Sequence, residues 1–367
     1  MQESRTESKT GLQNNSSDFR VLTVLTIINL EKGDASPLFL DKQEVEKMRA
    51  KTLALPKNRR NIWGTIISQR ELIIMSVPLL LYKILFSYVP ITGWTMAFQN
   101  FKPAIRNTFD QQWVGFDNFV KLFTGINGER FIRDIRNTLA QSILTLVVGY
   151  LGAIVLSLLL NEVRNLGFKR IIQNITYMPH FLSWIIVAGL VSSALALPSS
   201  GGIVNIVLMK LHIINEPVQF LSNPDYFWGV VAGSHLWKEL GWNTIIYLAA
   251  MTAIDPALYE AAEIDGANRY HKMWNVTLPS IKPTIVILLI MSIGWILEAG
   301  FEIQYFLGNG LVIEKAETID IFVLNYGIKM GNYSLATVAG IFKTGVSIIL
   351  IAGANFIAGR LGEEKLI

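Results

Sequence analysis

The sequence contains no cysteine, so disulfides, thiolate nucleophiles and thiolate metal sites are all excluded, and the redox compartment is left open. Charge is also scarce, at 16% of the 367 residues, where soluble domains carry roughly a quarter. The net charge of +4 is modest. No Lys/Arg stripe is interleaved with stacking aromatics, which argues against a nucleic-acid partner. The four histidines, His180, His212, His235 and His271, lie far apart and have no paired ligand spacing, so no metal site is expected. No G-x-x-x-x-G-K-[ST] segment occurs, so the chain carries no nucleotide-binding loop and any ATP must be handled elsewhere. No nucleophile–base motif supports a membrane-anchored enzyme, and no convincing internal repeat supports a gradient-driven carrier.

What the sequence has in quantity is apolar surface: 51% hydrophobic residues and a mean hydropathy of +0.39. Six apolar runs cover approximately 72–98, 138–160, 174–197, 226–250, 283–306 and 334–358. Each is close to or above the roughly 20 residues that cross a bilayer core, and backbone groups in lipid must pair within their own segment. The expected fold is therefore an all-α integral membrane protein with six transmembrane helices. Pro78 and Pro90 should kink or interrupt the first. Basic residues precede the first run (Arg49, Lys51, Lys57, Arg59, Arg60), and Arg164, Lys169 and Arg170 follow the second. The third-to-fourth and fifth-to-sixth loops carry more acid than base. Positive loops stay inside, which places both termini in the cytoplasm.

Residues 1–60 read as a polar cytoplasmic extension and 61–367 as the membrane domain. Within the extension, Phe19 to Leu30 is too short to span, and Met48 opens the basic stretch as a candidate natural start. Asp117 is a candidate cap for a short helix carrying Phe116, Phe119, Leu122 and Phe123, lying on the outer membrane surface or packed on the bundle.

The loop 255–283 is cytoplasmic in this topology, yet its four acids outnumber its three bases, so it serves some purpose besides orientation. Asp255-Pro256 reads as a cap and first helical residue, and Leu258, Ala261, Ala262 and Asp265 share a thin face. Gly266 stands where a helix ends in a left-handed conformation. Pro279 and Pro283 stop the second element and restart the chain. The segment Glu260-Ala-Ala-Glu-Ile-Asp-Gly-Ala267, with Leu278-Pro279 and Pro283, resembles the EAA loop of binding-protein-dependent ABC importer permeases. Trp274 stands where that loop has an aromatic residue. The stretches 177–184, 237–242 and 333–343 and the Gly362-Glu-Glu ending are similar to the carbohydrate-uptake (maltose-type) branch for complex, pectin- or alginate-derived oligosaccharides.

The resemblance implies a type I permease fold in which Glu260, Ala261, Ala262, Asp265, Gly266, Ala267, Leu278 and Pro279 couple to an ATPase. It further implies a second permease subunit in a heterodimer, an ATPase dimer that binds ATP and Mg, and an extracytoplasmic solute-binding protein. This chain itself would bind no cofactor and would catalyse nothing.

Ionisable side chains inside spans are suspects for function because their insertion is costly. Trp295, Glu298, Glu302 and Tyr305 recur at helical spacing in the fifth run, as do His235, Lys238, Glu239 and Trp242 in the fourth. Aromatic rings and carboxylates suit a sugar's C–H face and hydroxyls, so the two faces are candidate linings of a solute pathway. Pairing of Lys238 and the glutamates between helices is the competing reading. An amino-acid or peptide permease and a secondary transporter are the alternative functions.

Overall fold

The computed structural model describes residues 69–360, apart from Arg106, Thr108 and Phe109. The extension, the Met48 start and the Gly362-Glu-Glu ending lie outside the described residues. The chain groups into two compact units that divide between Leu81 and Tyr82.

The first long element, α1 (Arg70–Phe98), has none of its apolar window buried, as a lipid-facing helix requires. α-Helical geometry runs through Pro78 to Lys83, widens to a π turn at Ile84–Tyr88, and tightens to 3-10 from Val89, ahead of Pro90. A short antiparallel pair follows, with β1 (Gln99–Asn100) against β2 (Gln112–Trp113). α2 (Asp117–Phe123) is capped by Phe116 and not by Asp117, which sits in the first turn and pairs with Lys121. Leu122 is fully buried among Phe131, Phe322 and Val338, so this helix packs on the bundle.

Among the described residues, three helices are long and apolar enough to cross a membrane, and counting each bent pair as one gives up to six spans. α3 (Gly125–Glu162) and the last helix, α14 (Tyr333–Arg360), are continuous. The third span is not the single helix expected over 174–197. Its parts are α4 (Leu166–Tyr177), extended by a 3-10 turn to Phe181, and α5 (Trp184–Ala194), bent from it by 108°. After α6 (Ile203–Lys210), α7 (Pro224–Thr252) runs unbroken. α8 (Pro256–Ile264) turns off it by 73°. α9 (Arg269–Ser280) then meets α10 (Lys282–Gly294) at 56°.

The expected fifth span, 283–306, also breaks. α10 stops at Gly294, and helix resumes as α11 (Phe301–Leu307) after Gly300 in a left-handed conformation. The Trp295–Tyr305 face is therefore corrected: Trp295 and Glu298 lie in the break and only Glu302 and Tyr305 share a helix. Two short helices, α12 (Ile313–Ala316) and α13 (Ile319–Val323), lead to α14.

α3 ties the two ends of the bundle together. Phe131 near its start belongs to the core with Leu122 and Phe322, while Leu158 near its end packs with Tyr247, Met251 and Ile281 beside the α8–α9 loop. At 1.5 Å per residue these two cores lie about 40 Å apart along the helix.

Candidate functional site

At one end of the bundle, α8, the turn at Asp265–Asn268 and α9 form a self-capped helix pair. Asp255 Oδ1 accepts from Ala257 N–H at 2.9 Å, with Pro256 next in line. The chain then reverses at Gly266, whose φ is +77°. Ala267 N–H donates to the Ala262 carbonyl at 2.9 Å and Gly266 N–H to Glu263 at 3.0 Å, the pattern of a Schellman C-cap. Asn268 caps α9 by accepting from His271 N–H, and the Tyr259 hydroxyl meets Thr277 Oγ1 at 3.0 Å to fix one helix against the other. Glu260, Ala261, Asp265, Gly266 and Pro279 are exposed, and Ala262, Ala267 and Leu278 are half-buried. Ile264 is 88% exposed, Tyr270 72% and Trp274 60%, an apolar set at the tip of the pair. The sequence reading named Trp274 there but not Ile264 or Tyr270.

Midway along α7, the four predicted residues of the fourth span gather as expected, and two others join them from the break in the third span. Lys238 is 5% exposed. Its Nζ donates to the His180 carbonyl at 2.8 Å and to Glu239 Oε1 at 2.9 Å, and it lies 4.9 Å from the Trp184 ring centroid. The other carboxylate oxygen of Glu239 is 2.7 Å from His180 Nδ1. The His180 ring lies flat on Trp242, with centroids 4.3 Å apart and planes 4° from parallel. Trp242 nevertheless remains 44% exposed. Lys238 is thus buried and held by the neighbouring Glu239 on its own helix and by the His180 carbonyl from the third span. His180 and Trp184 were missed as site residues, although the segment holding them had been singled out. Helical periodicity within one span could not connect them to α7.

The break in the fifth span abuts the same cluster at one point. A Cβ at Gly300 would collide with the His235 imidazole, and its φ of +75° also calls for glycine. The buried Gln304 amide donates to the Ala299 carbonyl and so satisfies backbone that the break exposes. The fifth-span candidates do not join the fourth-span cluster through contacts of their own. Glu298 sits 3.9 Å from Lys343, which pairs more closely with Asp320 at 2.7 Å. Tyr305 stacks on Phe301 and lies 5.2 Å from Lys329, while Trp295 and Glu302 are exposed. No group of three or more His, Cys, Asp or Glu side chains forms a metal site among the described residues.

At the other end of α3, the buried Glu317 carboxylate accepts from Arg130 Nε at 2.8 Å, Arg133 Nη2 at 2.7 Å and Asn325 Nδ2 at 3.3 Å. Asn137 donates to the Glu314 and Glu317 carbonyls, and Thr138 Oγ1 accepts from Ile319 N–H. This knot fastens α3 to the connection between α11 and α14. It explains how charges at the start of α3 are accommodated next to a spanning segment.

The profile of the family described as "Binding-protein-dependent transport system inner membrane component" matches residues 145–362. The polygalacturonan/rhamnogalacturonan transport system permease protein YteP of Bacillus subtilis is 42% identical over 310 residues, covering 84% of this chain and 94% of that one. Protein LplB of the same organism is 41% identical over 80% of this chain and 90% of its own length. A chain from the crystal structure of a bacterial ABC transporter importing the acidic polysaccharide alginate is 39% identical. It superimposes with a TM-score of 0.74 over 82% of this chain and 99% of that one. A chain from the alginate ABC transporter in complex with an alginate pentasaccharide-bound periplasmic protein gives 0.75 at 38% identity, over 84% of this chain and all of the other. A family match over more than half of the chain, with relatives at this identity and a fold that superimposes nearly end to end, leads to one conclusion: the chain belongs to the inner membrane components of binding-protein-dependent ABC transport systems.

Proposed function

We propose that this chain is the non-catalytic permease subunit of an ATP-driven importer for oligosaccharides of the pectin or alginate class. It would pair with a second permease subunit, an ATPase dimer that binds ATP and Mg, and an extracytoplasmic solute-binding protein. The observation that carries this reading is the exposed, self-capped α8–α9 pair. Its two helices are tied together by the Tyr259–Thr277 hydrogen bond, it carries exposed Ile264, Tyr270 and Trp274, and it is joined through Met273 and Leu278 to the core that holds α3 and α7. Such a knob transmits the motion of an ATPase that grips it. The residues in contact would be Glu260, Ala261, Ala262, Asp265, Gly266 and Ala267, with Leu278 and Pro279 passing the motion into the spans.

The pathway reading is narrower than the sequence expectation. Exposed carboxylates at Glu298 and Glu302 are too costly to face lipid, so they face the partner permease or a water-filled path. The open face of Trp242, backed by His180, suits the C–H face of a sugar ring. Replacing Trp242 by alanine is expected to raise the solute concentration for half-maximal uptake about tenfold, the equivalent of ~1.4 kcal/mol of lost contact. Unchanged uptake in that variant, together with unchanged uptake in Glu298→Gln, would remove the pathway assignment.

The test of the whole reading is ATPase activity of the assembled complex in lipid nanodiscs. Binding protein would be added with oligogalacturonates, with alginate oligosaccharides, or with peptides and amino acids. Stimulation by either saccharide set is the expected result; stimulation by peptides or amino acids alone replaces the substrate class, and the absence of any co-purifying ATPase overturns the importer reading. Orientation has its own test, helped by a chain that has no native thiol. A cysteine replacing Gly310 should react with an impermeant maleimide in intact spheroplasts. One replacing Tyr270 should react only after lysis, and the reverse pattern inverts the topology.

A further inference from the structure

Two of the candidate spans break, and both breaks rest on α7, which runs through without one. The third span comes apart at Leu182 and Ser183, both in extended conformation, and the fifth between Gly294 and Gly300. Between them passes α7, with His235, Lys238, Glu239 and Trp242 on one face. A helix that ends in lipid leaves carbonyl groups without donors, which water cannot supply there. The His180 carbonyl belongs to such an end, and Lys238 Nζ donates to it at 2.8 Å. A cation at a helix C-terminus is favoured by the dipole as well.

The same ammonium reaches Glu239 Oε1 at 2.9 Å, and Glu239 Oε2 reaches back to His180 Nδ1 at 2.7 Å. The ring of contacts is closed: the backbone of His180 is held through Lys238 and its side chain through Glu239. The imidazole that results lies within 4° of parallel to the Trp242 indole. Directly beside it, a Cβ at Gly241 would strike the Thr176 carbonyl, so α4 and α7 meet there without any side chain between them.

We infer that Lys238 and Glu239 are positioning residues: together they clamp the broken third span onto α7 and hold His180 flat against Trp242, without touching the solute themselves. The inference rests on the reading that Trp242 faces the solute path. Burial argues for positioning over contact, since the Lys238 side chain is 7% exposed and two of its three N–H groups already have partners. A clamp of this kind fixes the height and tilt of the Trp242 face, and so sets which ring of an oligosaccharide can rest on it.

The clamp and direct contact make different predictions for substitutions that preserve geometry. Glu239→Gln keeps an acceptor for Lys238 and, with the His180 tautomer exchanged, a hydrogen bond to Nδ1 that the amide N–H now donates, while removing the charge; Glu239→Ala removes both contacts. The clamp predicts half-maximal uptake concentration within threefold of wild type for Glu239→Gln and about tenfold higher for Glu239→Ala, with maximal rate and basal ATPase within twofold in each. Equal damage from both variants would mean that the carboxylate acts through its charge on the solute.

Hydrogen exchange on the full complex in nanodiscs supplies a readout that needs no solute. In Lys238→Met, amides of Phe181–Trp184 should exchange at least tenfold faster while those of α8 and α9 keep their wild-type rates. The uptake defect of Lys238→Met combined with Trp242→Ala should not exceed that of Trp242→Ala alone, because the first acts through the second. Wild-type exchange at Phe181–Trp184 in both Lys238→Met and Glu239→Ala overturns the clamp, and so does a combined defect equal to the product of the single ones. A wild-type response in Trp242→Ala alone would sink the pathway reading instead, leaving the clamp to be judged on exchange.

Discussion

Gly266→Pro should abolish the stimulation of ATPase by loaded binding protein, at least a tenfold loss, while the complex still assembles and keeps its basal rate. Proline holds φ near −65°, and the backbone at this position is at +77°. The two cannot be reconciled by a small adjustment. Proline also deletes the N–H that donates to Glu263. The reversal between α8 and α9 must therefore be rebuilt, and Ile264 and Tyr270 can no longer present themselves on one knob. The spans contribute nothing to this turn, so packing around Tyr247 and Met251 should survive. Gly266→Ala gives the graded control. A side chain in the left-handed region costs about 1–2 kcal/mol, so stimulation should be reduced but measurable. A complex carrying Gly266→Pro that responds to binding protein like wild type would show that coupling does not run through this loop.

The second large effect is on assembly. Glu317→Ala takes one carboxylate away from two guanidinium groups that converge on it. Breaking a buried ion pair from one side costs about 3–5 kcal/mol. The arginine side chains here are 28% and 30% exposed, so water offsets part of the loss and about 2–3 kcal/mol is expected. Thermal unfolding of the purified complex should fall by several degrees, on the scale of ~2–4 °C per kcal/mol for a domain of this size. Glu317→Gln keeps an acceptor and should fall between. Asn137 would still clasp the Glu314 and Glu317 carbonyls, so the fold should weaken and not vanish. A shift below one degree would show that the charged knot contributes nothing to holding α3 against the α11–α14 connection.

Parts of this molecule were legible in the sequence for a clear physical reason. A bilayer demands long apolar runs and internal pairing of every backbone group, and neither demand depends on which helices are neighbours. The positions of α7 and α14, and of the apolar part of α3, therefore follow from composition alone. The α8–α9 loop was readable because its signals are local: Asp255 caps the residue two places on, Asn268 caps His271, and Gly266 takes a φ that its own missing side chain permits.

Other parts depended on partners distant in the chain. α3 begins at Gly125, well before the apolar run does, because Arg130 and Arg133 are neutralised by Glu317, almost 190 positions later. An apolar-run criterion counts those charges as the end of a helix. The breaks in the third and fifth spans were likewise invisible. Leu182-Ser183 and Ala299-Gly300 are unremarkable in sequence, and what accommodates the breaks is a lysine and an imidazole on α7 together with a buried glutamine one turn past the second break. The expectation of one continuous face from Trp295 to Tyr305 failed on this point, and the burial of Lys238 was not legible because the carbonyl it holds, that of His180, comes from another span. The sequence by itself determined a membrane-spanning helical chain with a self-capped helix–turn–helix loop at one end, since lipid and local capping act on each segment independently. Only the tertiary structure decided where those helices break and which charges are paired, because in lipid a freed carbonyl or a charge is tolerable only where another segment supplies its partner.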